Sequence, residues 1–283
     1  MKYILATDLD GTLFYPKKRL RMIQKKNIAF LRRVHEEGGR VVLVSSRSEQ
    51  FLAKVVGKLG FPVDYIGTDG TMVYADGQKI RDCYFEPQNI KDLVNDLRSS
   101  YDPPLFIASS AEHPLIINRT QVSHMTNFMY VLYQMVQGVY REPWIRSDHV
   151  FFKEIATGKV NKLMVLIGLT KKKRQRSYQI TKELQRKYPD FEFVWLDQFI
   201  EITPKGCSKA SGLEFYLDYL GLNHDNVVVV GDSGNDVPML DAFPGHSYAM
   251  AHAPKQVKEH ATGVVKRVYE LEPMLYPSAD NEE

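Results

Sequence analysis

The sequence predicts an α/β fold: a doubly wound parallel sheet with an α+β domain inserted into it. Three observations carry this. Short apolar runs alternate with helical periodicity near the N-terminus, the alternation resumes after residue 203, and the stretch between has another texture. Strands buried on both faces read as near-continuous apolar runs. Lys2–Thr7 is the first, ending in an acidic turn. Leu20, Ile23, Asn27, Phe30, Leu31 and Val34 then recur at helical spacing until Gly38-Gly39 stops the helix. Arg40–Val44 is the second strand, Ser48–Leu59 a helix closed by Gly60 and Pro62, and Val63–Gly67 the third strand. Met72–Ala75 and Lys79-Ile80 flank Asp76-Gly77, a hairpin signal.

Residues 83–202 form the expected insertion, leaving 1–82 and 203–283 as the two parts of the core. Inside it, strands are expected at Leu105–Ser109, Lys162–Ile167, Glu192–Leu196 and Phe199–Ile202, and helices at Ile90–Ser99, Val122–Gln137 and Gln175–Tyr188. The core then resumes with a helix at Ala210–Leu220, a strand at Asn226–Val230, a helix at Val237–Ala242, and strands at Tyr248–Ala251 and Val264-Val265.

Composition narrows the function. With 44% hydrophobic and 25% charged residues among 283, the chain is not disordered, collagen-like or a disulfide scaffold. A formal net charge of +3 is too small for a nucleic-acid binder, whose basic face dominates the count. No apolar run reaches the ~18 residues that span a bilayer, and the N-terminal run is too short for a signal-peptide core. The expectation is a cytoplasmic protein, monomeric or weakly self-associating, with neither membrane nor nucleic acid as partner. Cys83 and Cys207 are far apart in sequence and lack metal-ligand spacing, so they read as inert thiols of a reducing compartment. The basic run Lys171–Arg176 reads as a solvated helix face rather than a polyanion site, and the polar tail Ser278–Glu283 as frayed.

The chemistry gathers at strand ends, where open α/β sheets bind ligands. Asp8-Leu9-Asp10-Gly11-Thr12 follows the first strand. In extended chain Asp8 and Asp10 would project to one side, and Gly11 would allow a sharp turn. Gly231-Asp232-Ser233-Gly234-Asn235-Asp236 repeats the arrangement after another buried strand. Carboxylates converging from two strand ends repel unless a hard cation separates them, and an all-oxygen donor set suits Mg²⁺. Asp236 has a second reading, as N-cap of the following helix. Ser45-Ser46-Arg47 ends the second strand and offers a hydroxyl and backbone N–H groups to phosphate oxygens. Lys209 opens a helix, where a lysine is ordinarily just solvated; its company with the acidic motifs gives it the task of neutralising carboxylate and phosphate.

These four motifs, in this order, resemble those of the haloacid dehalogenase (HAD) superfamily phosphohydrolases, Cof-like (IIB) branch, with a type C2 cap. Asp8–Thr12 matches the first motif, Ser45 the second, Lys209 the third and Gly231–Asp236 the fourth. The resemblance covers roughly 1–82 and 203–270, and it implies a core with strand order 3-2-1-4-5 beneath a cap that selects the leaving group. It further implies that Asp8 is the nucleophile, forming an aspartyl-phosphate, and that Asp10 protonates the leaving alcohol and then activates water. Mg²⁺ is implied at Asp8, the backbone of Asp10 and Asp232, with Ser233 or Asp236 in support; phosphate contacts are implied for Leu9, Ser45, Ser46, Lys209 and Asn235. Acting as the acid calls for a protonated Asp10, a form that crowding by carboxylates would favour and Mg²⁺ would oppose.

Departures from the pattern are Ser45-Ser46-Arg47 for Thr-Gly-Arg, Thr68-Asp69-Gly70-Thr71 where Asn-Gly is usual, and Ala251-His252-Ala253 where Asn-Ala is usual. Asp69 and His252 read equally as lining for a leaving-group pocket and as plain turn and loop residues. Tyr140, Trp144 and Trp195 read as core packing first and sugar-stacking platforms second. The expected function is a Mg²⁺-dependent phosphatase of a small phosphorylated metabolite, a sugar phosphate for preference. A phosphomutase and a non-catalytic metabolite-binding regulator are the alternatives.

Overall fold

The computed structural model describes residues 3–18, 21–119, 124–168 and 170–276. Lys2, Leu20, the helix start at Val122 and the tail Ser278–Glu283 lie outside the described residues. In chain order the elements are β1 (Ile4–Thr7), α1 (Lys25–Glu36), β2 (Arg40–Val44), α2 (Glu49–Leu59), β3 (Asp64–Gly67), β4 (Met72–Ala75), β5 (Gln78–Asp82), α3 (Pro87–Tyr101), β6 (Leu105–Ser110), β7 (Ile116–Arg119), α4 (His124–Val136), β8 (Ile145–Arg146) and α5 (Asp148–Thr157). They continue with β9 (Val160–Leu166), α6 (Lys171–Lys187), β10 (Phe191–Leu196), β11 (Phe199–Pro204), α7 (Lys209–Leu220), β12 (Val227–Gly231), α8 (Val237–Ala242), β13 (Ser247–Met250), α9 (Lys255–Lys258), β14 (Gly263–Val265) and α10 (Glu272–Leu275). The chain divides into two units: one comprises 1–47, 52–80 and 209–283, the other 48–51 and 81–208.

The first unit is built on an eight-stranded sheet, ordered β14-β13-β12-β1-β2-β3-β4-β5. Its middle is parallel and carries the expected order 3-2-1-4-5; the β4–β5 hairpin adds to one edge and β14 to the other. The hairpin turn Asp76-Gly77 has both residues at positive φ, 49° and 76°, as a two-residue loop between right-twisted strands requires. β1 lies between β2 and β12, with Thr7 level with Val230. The first acidic motif therefore leaves the sheet beside the second.

Apolar residues of β1, β2 and β12 pack under α7 and α8, with Leu213, Tyr216, Leu217, Met239 and Leu240 fully buried. Buried Asn27 of α1 donates to the Leu13 carbonyl at 3.1 Å and accepts from the Tyr269 amide at 3.2 Å, which fixes the turn after the first motif.

The second unit carries a six-stranded sheet, β10-β11-β9-β6-β7-β8, antiparallel except for β7–β8. Ile90, Leu93, Val94 and Leu97 of α3 and Ile180 and Leu184 of α6 bury against its strands. β7, β8 and α5 add to the elements read from sequence. Tyr140 is fully buried and Trp144 packs on a core cluster, so core packing accounts for both. Trp195 is partly exposed, its indole N–H donating to Ser177 Oγ at 2.8 Å and to the Asp197 carbonyl at 2.9 Å. No helix among the described residues is long and apolar enough to cross a membrane.

Candidate active site

Asp8 continues β1 by one rung, its amide donating to the Val230 carbonyl at 3.0 Å. Beyond it the chain does not stay extended, so Asp8 and Asp10 do not project side by side as the strand geometry suggested. Residues Leu9–Leu13 coil into a tight turn broken at Gly11, whose φ is +83°. A Cβ at Gly11 would lie 2.2 Å from Asp232 Oδ2, so glycine is required by conformation and by space. The turn sends the two carboxylates to different cations.

The Asp8 Oδ1 atom meets Lys209 Nζ at 2.7 Å, and Lys209 meets Asp236 Oδ1 at 2.6 Å. All three side chains are buried. Lys209 opens α7 from inside the unit, so the solvated-lysine reading fails. Asp236 does not cap α8 with its side chain. Its Oδ2 instead accepts the amides of Asp232 and Ser233, each at 2.9 Å, so both oxygens are committed. Asp232 is held from the other side by Thr12 Oγ1 at 3.1 Å, and His252 Nε2 lies 3.5 Å from its Oδ2. Tyr15 stacks on the His252 ring at 3.8 Å between centroids.

Electrostatics follow from this crowding. Burial pushes the Asp8 carboxyl well above its usual range, opposed by Lys209 and reinforced by Asp236 and Asp232. Asp232 is pushed up to about 6 by burial and by the Asp236 charge, against Lys209 and Thr12. Burial alone would lower Lys209, but Asp236 and Asp8 outweigh it and raise the ammonium well above its ordinary value. Burial lowers His252, assisted by nearby Arg267 and Lys258.

Asp10 is different. Its oxygens are gripped by Arg47 Nε at 2.6 Å and Nη2 at 2.8 Å. Burial would raise this carboxyl, but the Arg47 fork, with Lys17 and Lys209, holds it below the usual range. The expectation of a protonated Asp10 is thus corrected: its charge is felt at Asp232, but a guanidinium faces it and outweighs that crowding. Sequence reasoning quoted Arg47 without giving it a task, and passed over Thr12 and Lys17; for Thr12 the signal lay in the first motif itself.

Ser45 is buried, and its Oγ accepts the Arg47 amide at 3.2 Å. Ser46 and Leu9 flank these groups in sequence, Leu9 fully buried. Asn235 is engaged at both ends, donating to Asp69 Oδ1 at 3.2 Å and accepting from Ser233 Oγ at 2.6 Å. Asp69 sits in the left-handed region, φ 55°, buried and near Lys209. Asp69 is therefore a turn residue that also touches Asn235.

The donor set fits a divalent cation. Oxygens of Asp8, Asp232 and Asp236 lie within 4.8 Å of one another. Asp8 Oδ2 is buried without a hydrogen-bond partner. Three carboxylates around one lysine leave two negative charges, the amount Mg²⁺ carries. Because Asp236 is already committed through both oxygens, Asp8 and Asp232 are the better-placed ligands and Asp236 the residue that orders them. Ser233 Oγ is likewise turned to Asn235 and Asp236.

Residues 5–272 match the family described as haloacid dehalogenase-like hydrolases. Pyridoxal phosphate phosphatase YbhA of Escherichia coli is 25% identical over 280 residues, covering 93% of this chain and 92% of its own length. Among solved structures, SMU.1108c from Streptococcus mutans superposes with a TM-score of 0.78 at 22% identity, covering 97% of this chain and 98% of that one. The subclass IIB sugar phosphatase BT4131 gives a TM-score of 0.71 at 19% identity, covering 93% of each. With one family spanning both acidic motifs, Lys209 and the insertion between them, the chain belongs to the haloacid dehalogenase-like hydrolases.

Proposed function

We propose that this hydrolase is a Mg²⁺-dependent phosphatase that releases inorganic phosphate from a small phosphorylated metabolite through an aspartyl-phosphate on Asp8. The observation that carries the reading is the pairing of two unlike aspartates: Asp8 buried against Lys209, and Asp10 in the fork of Arg47. Asp8 and Asp232 would hold the cation. Bound Mg²⁺ offsets the charge of a transferring phosphoryl group.

Lys209 holds Asp8 in place, opposes the rise that burial imposes on its carboxyl, and faces the incoming phosphate. Asp8 attacks phosphorus, forming its own O–P bond as the ester P–O bond breaks; Asp10 gives the leaving oxygen a proton. Water then attacks the aspartyl-phosphate while Asp10 takes its proton back, and Asp8 is released as the carboxylate. A guanidinium fork suits phosphate as well as carboxylate. Arrival of substrate would draw Arg47 off Asp10, and losing that partner would raise the Asp10 carboxyl toward the protonated form the first step needs. Leu9, Ser45, Ser46 and Asn235 would orient phosphate oxygens.

Asp69 and His252 supply polar groups suited to a hydroxyl-bearing leaving group, which favours a sugar phosphate. A second reading, pyridoxal phosphate, is favoured by the name of the Escherichia coli relative. The test is phosphate release across a panel holding both classes, with EDTA and with Mg²⁺. Activity is expected to need Mg²⁺ and to leave free phosphate. Return of phosphate to a second position of the substrate would favour a mutase, and full activity in EDTA would overturn the metal assignment.

A further inference from the structure

The chain has only two cysteines, and the fold brings them to one guanidinium. Arg81 Nε donates to Cys83 Sγ at 3.3 Å, and Arg81 Nη2 donates to Cys207 Sγ at 3.4 Å. The same Nη2 donates to the Gly206 carbonyl at 2.8 Å, which fixes the fork beside the second sulfur. The two thiols also hydrogen-bond to each other, and both are free. Far apart in sequence, the two cysteines are thus neighbours in the fold. Cys83 lies where the chain enters the second unit and Cys207 where it leaves it.

We propose that Cys83 and Cys207 are a redox dithiol, which a hydroperoxide converts to an intramolecular disulfide, with Cys83 oxidised first and Cys207 resolving it. The two sulfurs differ in the way this order requires. Cys83 is half-buried and open to a small oxidant, whereas Cys207 is 1% exposed. Cys207 is fixed by its own turn, its amide donating to the Pro204 carbonyl at 3.1 Å and its carbonyl accepting from Thr203 Oγ1 at 2.7 Å.

Charge supports the same order. The hydrogen bond from Cys207 draws the Cys83 thiol down to about 6; burial and Asp82 oppose this, and Arg81 assists it. Cys207 is pushed up, first by that same bond to Cys83 and then by its burial. Glu192, which accepts the Gly206 amide at 3.1 Å, pairs with Lys205 at 3.4 Å.

The chemistry balances with a hydroperoxide as the oxidant. The Cys83 thiolate attacks the peroxide: an S–O bond forms, the O–O bond breaks, and the leaving oxygen departs as alkoxide or hydroxide. Cys83 is then a sulfenic acid, oxidised by two electrons, and the peroxide is reduced by two. Its sulfur is now neutral, which removes the charge that kept the proton on Cys207. The Cys207 sulfur attacks Cys83, the S–S bond forms, the S–O bond breaks and water leaves.

The test uses the full chain, hydrogen peroxide as probe, and intact mass after thiol alkylation in denaturant. Untreated protein should take two alkyl groups. Peroxide-treated protein should take none, weigh about 2 Da less and recover both sites with dithiothreitol. Cys207→Ser should stop at a Cys83 sulfenic acid that dimedone traps. Cys83→Ser should leave Cys207 alkylatable after the same exposure, with phosphatase activity unchanged as the check on folding. Arg81→Met should slow oxidation of Cys83 by roughly tenfold or more, since less thiolate is present at neutral pH. Two thiols still open to alkylation after peroxide would overturn the proposal. So would disulfide-linked dimers, or a Cys207 that oxidises as fast in Cys83→Ser as in the parent chain.

Discussion

Arg47 decides what Asp10 can do. In the free protein the fork keeps Asp10 ionised, so the residue cast as the acid starts without its proton. Asp10→Asn should spare phosphoryl transfer from aryl esters, whose leaving group needs no proton, while slowing transfer from alkyl esters by ~10²–10⁴-fold. The ratio of aryl to alkyl rates of the transfer step, read in a single turnover, measures this, and equal loss of both would contradict the assignment. At Gly11, alanine meets a left-handed backbone that costs about 1–2 kcal/mol and a carboxylate 2.2 Å away. Gly11→Ala should therefore lose far more activity than its unfolding free energy explains, because Asp232 has to move. Denaturant melts beside phosphate-release assays would show it.

At the scale of elements, adjacent parallel strands do the positioning. β1 and β12 end within one residue of each other, so motifs separated by most of the chain become neighbours without any long-range loop. Much of this was legible. Val227–Val230 and Ile4–Ala6 are apolar runs that only a sheet covered on both faces explains, and motif order gave the strand ends their chemistry. What was not legible has physical causes. β7 is four residues long and buries the polar Asn118, which hides a strand period. In α5 the signal was present: Ser147 caps it by accepting the Val150 amide at 3.2 Å, and Gly158 ends it at φ 71°. Buried Glu154 masks its apolar face. The Asp10–Arg47 pair was hidden because a fork across two strand ends leaves no spacing in sequence.

The tie between α3 and α6 carries a pH signature. Asp96 accepts from Lys187 Nζ and Tyr188 Oη, each at 2.8 Å, and from Ser100 Oγ at 3.1 Å. Burial raises this carboxyl, but these three partners win and hold it below its ordinary 3.8. A depressed carboxylate stabilises the fold above its unfolded pKa and loses that contribution as pH falls through the folded value. Asp96→Asn should cost about 1 kcal/mol at pH 7, since Lys187 is largely exposed, and the difference from the parent should shrink below pH 3.8. Paired thermal melts at the two pH values check this.

For the molecule as a whole, the unbalanced carboxylates of Asp8, Asp232 and Asp236 should make Mg²⁺ a stabilising ligand. At a free concentration ~100 times the dissociation constant, a cation that binds only the folded chain adds about 2.7 kcal/mol. Thermal midpoints should rise with Mg²⁺ and fall back with EDTA, and Asp232→Asn should abolish the response. An unchanged response in Asp232→Asn would place the ion elsewhere.

In the proposed reaction Asp8 carries the phosphoryl group and Asp10 is needed to discharge it. Rapid mixing of Asp10→Asn with p-nitrophenyl phosphate tests this most directly. Transfer should proceed without the acid, and hydrolysis should stall without the base. A burst of about one nitrophenolate per enzyme is expected, with quenched protein about 80 Da heavier at Asp8. Turnover with no burst and no added mass on Asp8 would contradict it.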